Sequence, residues 1–109
     1  MKKLFLSSFI FLMSISIISQ ESFKNVPLAD PFILLYEGTY YAYGTGSPDG
    51  IEVITSNDLI NWNRVDNGRN GLALHKNDSY GEKWFWAPEV YFVNGKFYMY
   101  YSAEEHMCV

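Results

Sequence analysis

Apolar and polar positions in this chain change over in short blocks, each closed by a turn signal. FILLY (32–36) is an apolar run of strand length, and Glu37-Gly38 follows it as a two-residue turn. Glycine there can take the positive φ that tight hairpins require. TYYAYGT (39–45) is β-branched and aromatic, a composition that suits a pleated, half-buried surface. Asp49-Gly50 is a second turn signal, and in IEVITS (51–56) Ile51, Val53 and Thr55 alternate with Glu52, Ile54 and Ser56. SNDLINW (56–62) reads as a turn, with Trp62 opening a fourth short strand. No window sustains a helical period over about ten residues. The pattern predicts an all-β chain.

From Asn67 to Lys83 the texture changes to NGRNGLALHKNDSYGEK, rich in Gly, Asn and charge, which predicts a long loop. His75 lies inside it and reads as a solvated loop histidine; Asn77-Asp78-Ser79 matches the glycosylation sequon. The earlier pattern then returns. PFILLYEGTYYAYGT (31–45) aligns without a gap on PEVYFVNGKFYMYYS (88–102) at an offset of 57 residues. Pro31 meets Pro88, Gly38 meets Gly95, Tyr41 meets Tyr98 and Tyr43 meets Tyr100, while Thr45 meets the chemically similar Ser102. Such a repeat, with four short strands in its unit, predicts β-propeller blades. By the same offset Cys108 falls where a third strand of the second unit should begin. We therefore expect a complete first blade from about 32 to 67 and about half of a second, the front of a larger propeller.

The N-terminus stands apart. Lys2 and Lys3 precede Leu4–Ile18, an apolar run broken only by serines. At fifteen residues it suits the apolar region of a signal peptide and is short for a membrane span of ~20 residues. We expect residues 1–19 to be a signal peptide cleaved after the small residue Ser19, and residues 20–109 to be exported to the periplasm or the extracellular space. Of 8 basic residues two leave with the signal, so 6 face 12 acidic ones, a net charge of −6. That balance excludes nucleic acid and anionic membrane as natural partners, since both call for basic surface. Removing Phe5, Phe9 and Phe11 leaves seventeen of the twenty aromatic residues, a density suited to hydroxyl-rich, flat-faced ligands. Cys108 is the single cysteine, so no intrachain disulfide and no cysteine-based zinc site is expected. The cluster EEHMC (104–108) offers metal-ligand types without matching spacing elsewhere, and no metal site is expected from it.

Two places carry candidate chemistry. Asp30 directly precedes Pro31 at the start of the first strand, and in a propeller that strand lines the central channel with its start at the mouth. Proline biases Asp30 toward an extended conformation, so the residue is either a strand initiator or a carboxylate aimed into the mouth. The repeat bears on that choice, because Ala87 is the residue aligned with Asp30: a blade can begin without an aspartate. WFWAPEV (84–90) brings Trp84, Phe85, Trp86 and Glu89 to the corresponding position of the second blade. Sugar rings offer apolar faces and hydroxyl edges that tryptophan and carboxylate suit. One or two of the three aromatics are expected between the blades, and Trp86 is expected at the mouth.

Asp30-Pro31-Phe32-Ile33 with GTYYAYGT, then TSNDLINW, then WAPEVYFVNGKFYMYYS, resembles the N-terminal part of glycoside hydrolase family 43 over nearly all of residues 27–102. Propellers acting on fructans, and phosphorylases of mannosides, share the architecture but differ around the first aspartate. The resemblance implies a five-bladed propeller that hydrolyses arabinose- or xylose-containing glycans with inversion. It assigns Asp30 as general base and places Trp86, Glu89 and Phe32 in the substrate pocket. An inverting pair needs carboxyl groups ~6.5–9.5 Å apart so that a water fits between them and the sugar. The general acid and the residue that tunes it are expected after Val109, so the chain as given is expected to be inactive. Glu104 and Glu105 are expected in an exposed turn. The implied partner is arabinan, arabinoxylan or xylo-oligosaccharide. No cofactor is implied for this chain, although a structural calcium ion in the channel occurs in some relatives. The alternative is a propeller module that binds carbohydrate without cleaving it.

The exported protein is expected to begin at Gln20, which N-terminal sequencing or intact mass will show; a chain retaining residues 1–19 in the membrane would mark an anchor instead.

Overall fold

Period-two patterning and turn chemistry resolve into eight strands in a computed structural model, which describes residues 25–109. The expected signal segment, residues 1–19, lies outside the described residues. The first sheet contains β1 (Ala29–Tyr36), β2 (Thr39–Ser47), β3 (Gly50–Ser56), β4 (Asn63–Arg64) and β5 (Leu72–His75). The second contains β6 (Trp86–Val93), β7 (Lys96–Ala103) and β8 (His106–Cys108) in that order. All pairings are antiparallel.

The sequence repeat is also a repeat of register. β1 and β2 pair Ala29 with Thr45, Phe32 with Tyr43 and Tyr36 with Thr39. β6 and β7 pair Trp86 with Ser102, Glu89 with Tyr100 and Val93 with Lys96, each partner 57 residues on. Both hairpins close through the same turn, with φ of 48° and 80° at Glu37-Gly38 and 51° and 77° at Asn94-Gly95. Two successive positive φ values match the right-handed twist of the flanking strands. The units diverge afterwards. β8 begins at His106, sooner than the offset predicts, because Glu104-Glu105 turns tightly with φ of 49° and 67°.

The fourth strand is where expectation and structure differ most. β4 holds only two residues, opposite Ile54 and Thr55. The rest of the outer edge of β3 is taken by β5, which lies within the segment expected to be a long loop. Two short strands thus share one edge, and the first sheet runs to His75 rather than ending near Asn67. Burial drives the second of them inward: Leu72 is buried and Leu74 packs on the core. Gly50 is required by this arrangement, because a Cβ there would lie 1.9 Å from the Leu74 carbonyl oxygen. His75 ends β5 rather than lying free in a loop, and its Nδ1 accepts from the Asn77 amide at 3.1 Å to start a short 3-10 turn, Lys76–Asp78.

The core forms between the sheets. Ile51 from β3, Phe85 from the connector, and Tyr101 and Ala103 from β7 are buried together, with Tyr43, Leu74, Met99 and Cys108 packed around them. Phe85 is 1% exposed and stacks on Tyr101 at 6.3 Å. Along the innermost strands a second contact joins the blades: Phe32 meets Tyr91 at 5.5 Å, and Tyr36 meets Phe92 and Phe97, each at 4.9 Å. Offset and edge-to-face pairs at such distances add to the gain from burial itself.

The turn leaving β3 is built by two side chains. The buried Ser56 hydroxyl accepts from the Asp58 and Leu59 amides at 3.2 and 2.9 Å and donates to Asp58 Oδ1 at 2.9 Å. Asp58 Oδ1 also accepts from the Ile60 and Asn61 amides, and Oδ2 from the Asn61 side chain, at 2.7 to 2.9 Å. These donors, the Asn61 amide foremost, hold the Asp58 carboxyl well below the usual carboxylate range. A group whose pKa is lower folded than unfolded contributes stability above its unfolded value, near ~3.9, and loses it as pH falls. Asp58→Asn is therefore expected to lower the urea midpoint near neutral pH and to shrink the further fall between pH 5 and pH 2. An unchanged acid dependence would remove this role from Asp58.

Candidate functional site

Each inner strand carries one extra residue near its start. Between the pairs Ala29–Thr45 and Phe32–Tyr43, β1 advances three residues while β2 advances two, and β6 repeats the step between Trp86 and Glu89. This is a β-bulge, and the prolines fit it because a residue outside the ladder needs no N–H. Asp30 and Ala87 both have φ of 46°. The extended conformation expected for Asp30 is thus corrected: the bulge overrides the bias that Pro31 imposes. Aspartate tolerates left-handed backbone, but alanine pays ~1–2 kcal/mol for it. Since Ala87 adopts the bend without a carboxylate, the bend does not explain Asp30.

The Asp30 side chain is exposed at this corner, where its Oδ2 accepts from the Thr45 hydroxyl at 3.3 Å. The same Thr45 oxygen accepts from the Ala87 amide at 3.0 Å. A single hydroxyl on β2 therefore joins the carboxylate of the first blade to the backbone of the second.

Trp86 stands beside that junction and is 43% exposed. Its ring stacks on Trp84, itself 45% exposed, at 6.1 Å and 21°, and the Lys83 ammonium lies 4.3 Å from the Trp84 centroid. Of the three aromatics only Phe85 goes to the core. The two tryptophans and Lys83 face the segment 45–48 across an open groove whose first residue is Thr45. Thr45 thus links the groove lined by the two tryptophans to the corner that carries Asp30.

Glu89 and Phe32 occupy matching register positions on the inner strands. The Tyr91 hydroxyl donates to Glu89 Oε2 at 2.7 Å, and this hydrogen bond to an anion raises the Tyr91 pKa. Phe32 packs on Tyr91, so it reaches Glu89 through that ring. Glu89 also borders a groove with Ala87, Tyr100 and Ser102. Glu105 is exposed as expected, whereas Glu104 is half-buried and its Oε1 accepts from the Glu82 amide at 3.1 Å. Among the described residues no three His, Cys, Asp or Glu side chains cluster closely enough to hold a metal ion.

Sequence reasoning missed Thr45 and Tyr91 as parts of the site. Tyr91 had a signal: it aligns with Leu34, so it departs from the repeat as Asp30 does from Ala87 and Phe32 from Glu89. Thr45 had the opposite signal, a hydroxyl kept at the same place as Ser102.

The model of the family described as glycosyl hydrolases family 43 matches residues 20–109. The extracellular endo-alpha-(1->5)-L-arabinanase 1 of Bacillus subtilis (strain 168) is 34% identical over 85 residues, covering 73% of this chain and 26% of that protein. The extracellular exo-alpha-(1->5)-L-arabinofuranosidase ArbA of Cellvibrio japonicus (strain Ueda107) is 32% identical over 82 residues, covering 73% and 23%. Among solved structures, the endo-arabinase from Bacteroides thetaiotaomicron VPI-5482 superposes with a TM-score of 0.57 at 34% identity, over 74% of this chain and 29% of that one. A thermostable family-43 glycoside hydrolase gives 0.55 at 32% identity, over 79% and 30%. The chain spans 26% and 23% of the length of the two curated relatives, about a quarter.

The strained bulge yields its own expectation. Ala87→Val places a β-branched residue at φ 46° and is expected to cost ~1–2 kcal/mol relative to Ala87→Gly, measured as the difference in urea midpoints. Equal stability of the two variants would show that residue 87 is not held in the left-handed region.

Proposed function

The chain belongs to glycosyl hydrolases family 43, and on that premise we propose that it supplies the base-bearing blade of an exported β-propeller enzyme acting on arabinose-containing polysaccharide. The observation that carries the reading is Asp30 itself. It occupies a bulge that the second blade forms with alanine, and it is held by Thr45, a residue that lines the groove beside Trp86. In this reading the two sheets are blades one and two of five. The named relatives include an endo-acting arabinanase and an exo-acting arabinofuranosidase, which favours arabinan over xylan as the substrate class.

In the reaction, Asp30 takes a proton from a water whose oxygen attacks the anomeric carbon. The glycosidic C–O bond breaks on the opposite face, and the departing oxygen receives a proton from a separate carboxylic acid. Attack from one side with departure from the other inverts the anomeric centre. A base needs only to be ionised at the working pH, whereas the acid must keep its proton, so the two roles call for different surroundings. The general acid lies after Val109 in this reading. Trp86 offers its exposed face to a sugar ring, Glu89 accepts hydroxyl hydrogen bonds through the oxygen that Tyr91 does not hold, and Phe32 fixes Tyr91. Calcium is no part of this scheme.

Asp30→Asn in the complete protein is expected to lower hydrolysis of linear arabinan by about 10²–10⁴-fold while leaving the urea midpoint and arabino-oligosaccharide binding unchanged. Asp30→Ala should recover turnover with added azide and release a glycosyl azide of inverted configuration. Full activity in Asp30→Asn would sink the base assignment, and matching losses of stability and activity would leave Asp30 a strand initiator. A wild-type protein that binds arabinan without cleaving it would point to the binding-module alternative.

A further inference from the structure

Little in its own strand aims Asp30. Its backbone sits in a bulge, outside the regular ladder, and its side chain is exposed, so neither packing nor strand pairing fixes its direction. Among the described residues the Thr45 hydroxyl provides the one hydrogen bond that reaches the Asp30 side chain.

A threonine hydroxyl has one proton to give and lone pairs to receive. The Ala87 N–H, 3.0 Å away, occupies a lone pair of Thr45 Oγ1. That leaves the hydroxyl proton to point at Asp30 Oδ2 at 3.3 Å. The Ala87 N–H is available for this because Ala87 is itself a bulge residue, whose amide falls outside the β6–β7 ladder. Gly44 keeps the end of β2 close enough, since a Cβ there would meet Leu28 Cβ at 2.6 Å and the Ala29 carbonyl oxygen at 2.9 Å. Ser102 holds the same register slot in the second blade, but the bulge it faces carries no carboxylate.

We propose that Thr45 is a positioning residue for Asp30. Its hydroxyl takes its own direction from the second blade and holds one carboxylate oxygen, leaving the other free to accept a proton from water. The aim of the base is then set by the contact between blades, not by the strand that carries it. This rests on the general-base reading of Asp30, and the test separates the two.

In the complete protein, Thr45→Val is expected to lower kcat on linear arabinan about tenfold with KM unchanged, the low end of what a hydrogen bond to a charged group contributes. Thr45→Ser should restore most of that loss. The decisive measurement adds Thr45→Val to Asp30→Ala under azide rescue, where no further loss is expected because no carboxylate remains to be aimed. Wild-type kcat in Thr45→Val, or an equal loss in the azide-rescued background, would overturn the proposal while leaving Asp30 as base. Full activity in Asp30→Ala alone would instead remove the base reading and this proposal with it. Should Thr45→Val fail to fold, Thr45→Ala against Thr45→Ser carries the same comparison.

Discussion

The arrangement turns on one extra residue at the start of each inner strand. A bulge there removes a peptide from the ladder, bends the strand and re-aims what it carries. Proline locks its own φ and contributes no donor, so the interruption falls at the same place in both blades. Two consequences come from one device. The freed Ala87 amide can bond across to the neighbouring blade, and the corner residue points out of the sheet instead of into a packed face. In the first blade that residue is an acid.

Packing then fixes the two corners relative to each other. Phe85 and Tyr101 are buried in the contact between blades, and Phe32 and Tyr36 meet Tyr91, Phe92 and Phe97 along the first strands of the two sheets. Rings fit this task because a buried one such as Phe85 removes large area from water with few rotatable bonds, and ring pairs add a preferred geometry. The bond from Ala87 to Thr45 spans 42 residues of sequence. It holds its geometry because these rings hold theirs.

Much of this is legible in the sequence alone. Pro31 and Pro88, Gly38 and Gly95, and the paired tyrosines fixed both hairpins, since turn chemistry and strand composition are local properties. The carboxylate at Asp30 also stood out, because the repeat supplied its own control in Ala87. What escaped was nonlocal. β5 hides in a segment whose Gly, Asn and charge read as loop, and only its pairing with Gly50, Ile51 and Glu52 makes it a strand. The positive φ of Asp30 ran against the local rule for a residue before proline, which yields here to the ladder around it. Thr45 and Tyr91 gain their places from contacts between blades, which no window along one strand can reveal.

The division of the first sheet's outer edge between β4 and β5 has a consequence beyond the site. An outermost strand shows a row of unpaired N–H and C=O groups that can recruit a strand from another molecule. Here that row is broken into pieces of two and four residues, β4 and β5, separated by the turn-rich stretch around Gly68 and Gly71, both at positive φ. Along this edge an incoming strand would find no straight template longer than a few residues. The discontinuity disfavours strand addition at the β3 side of the sheet while still burying Leu72.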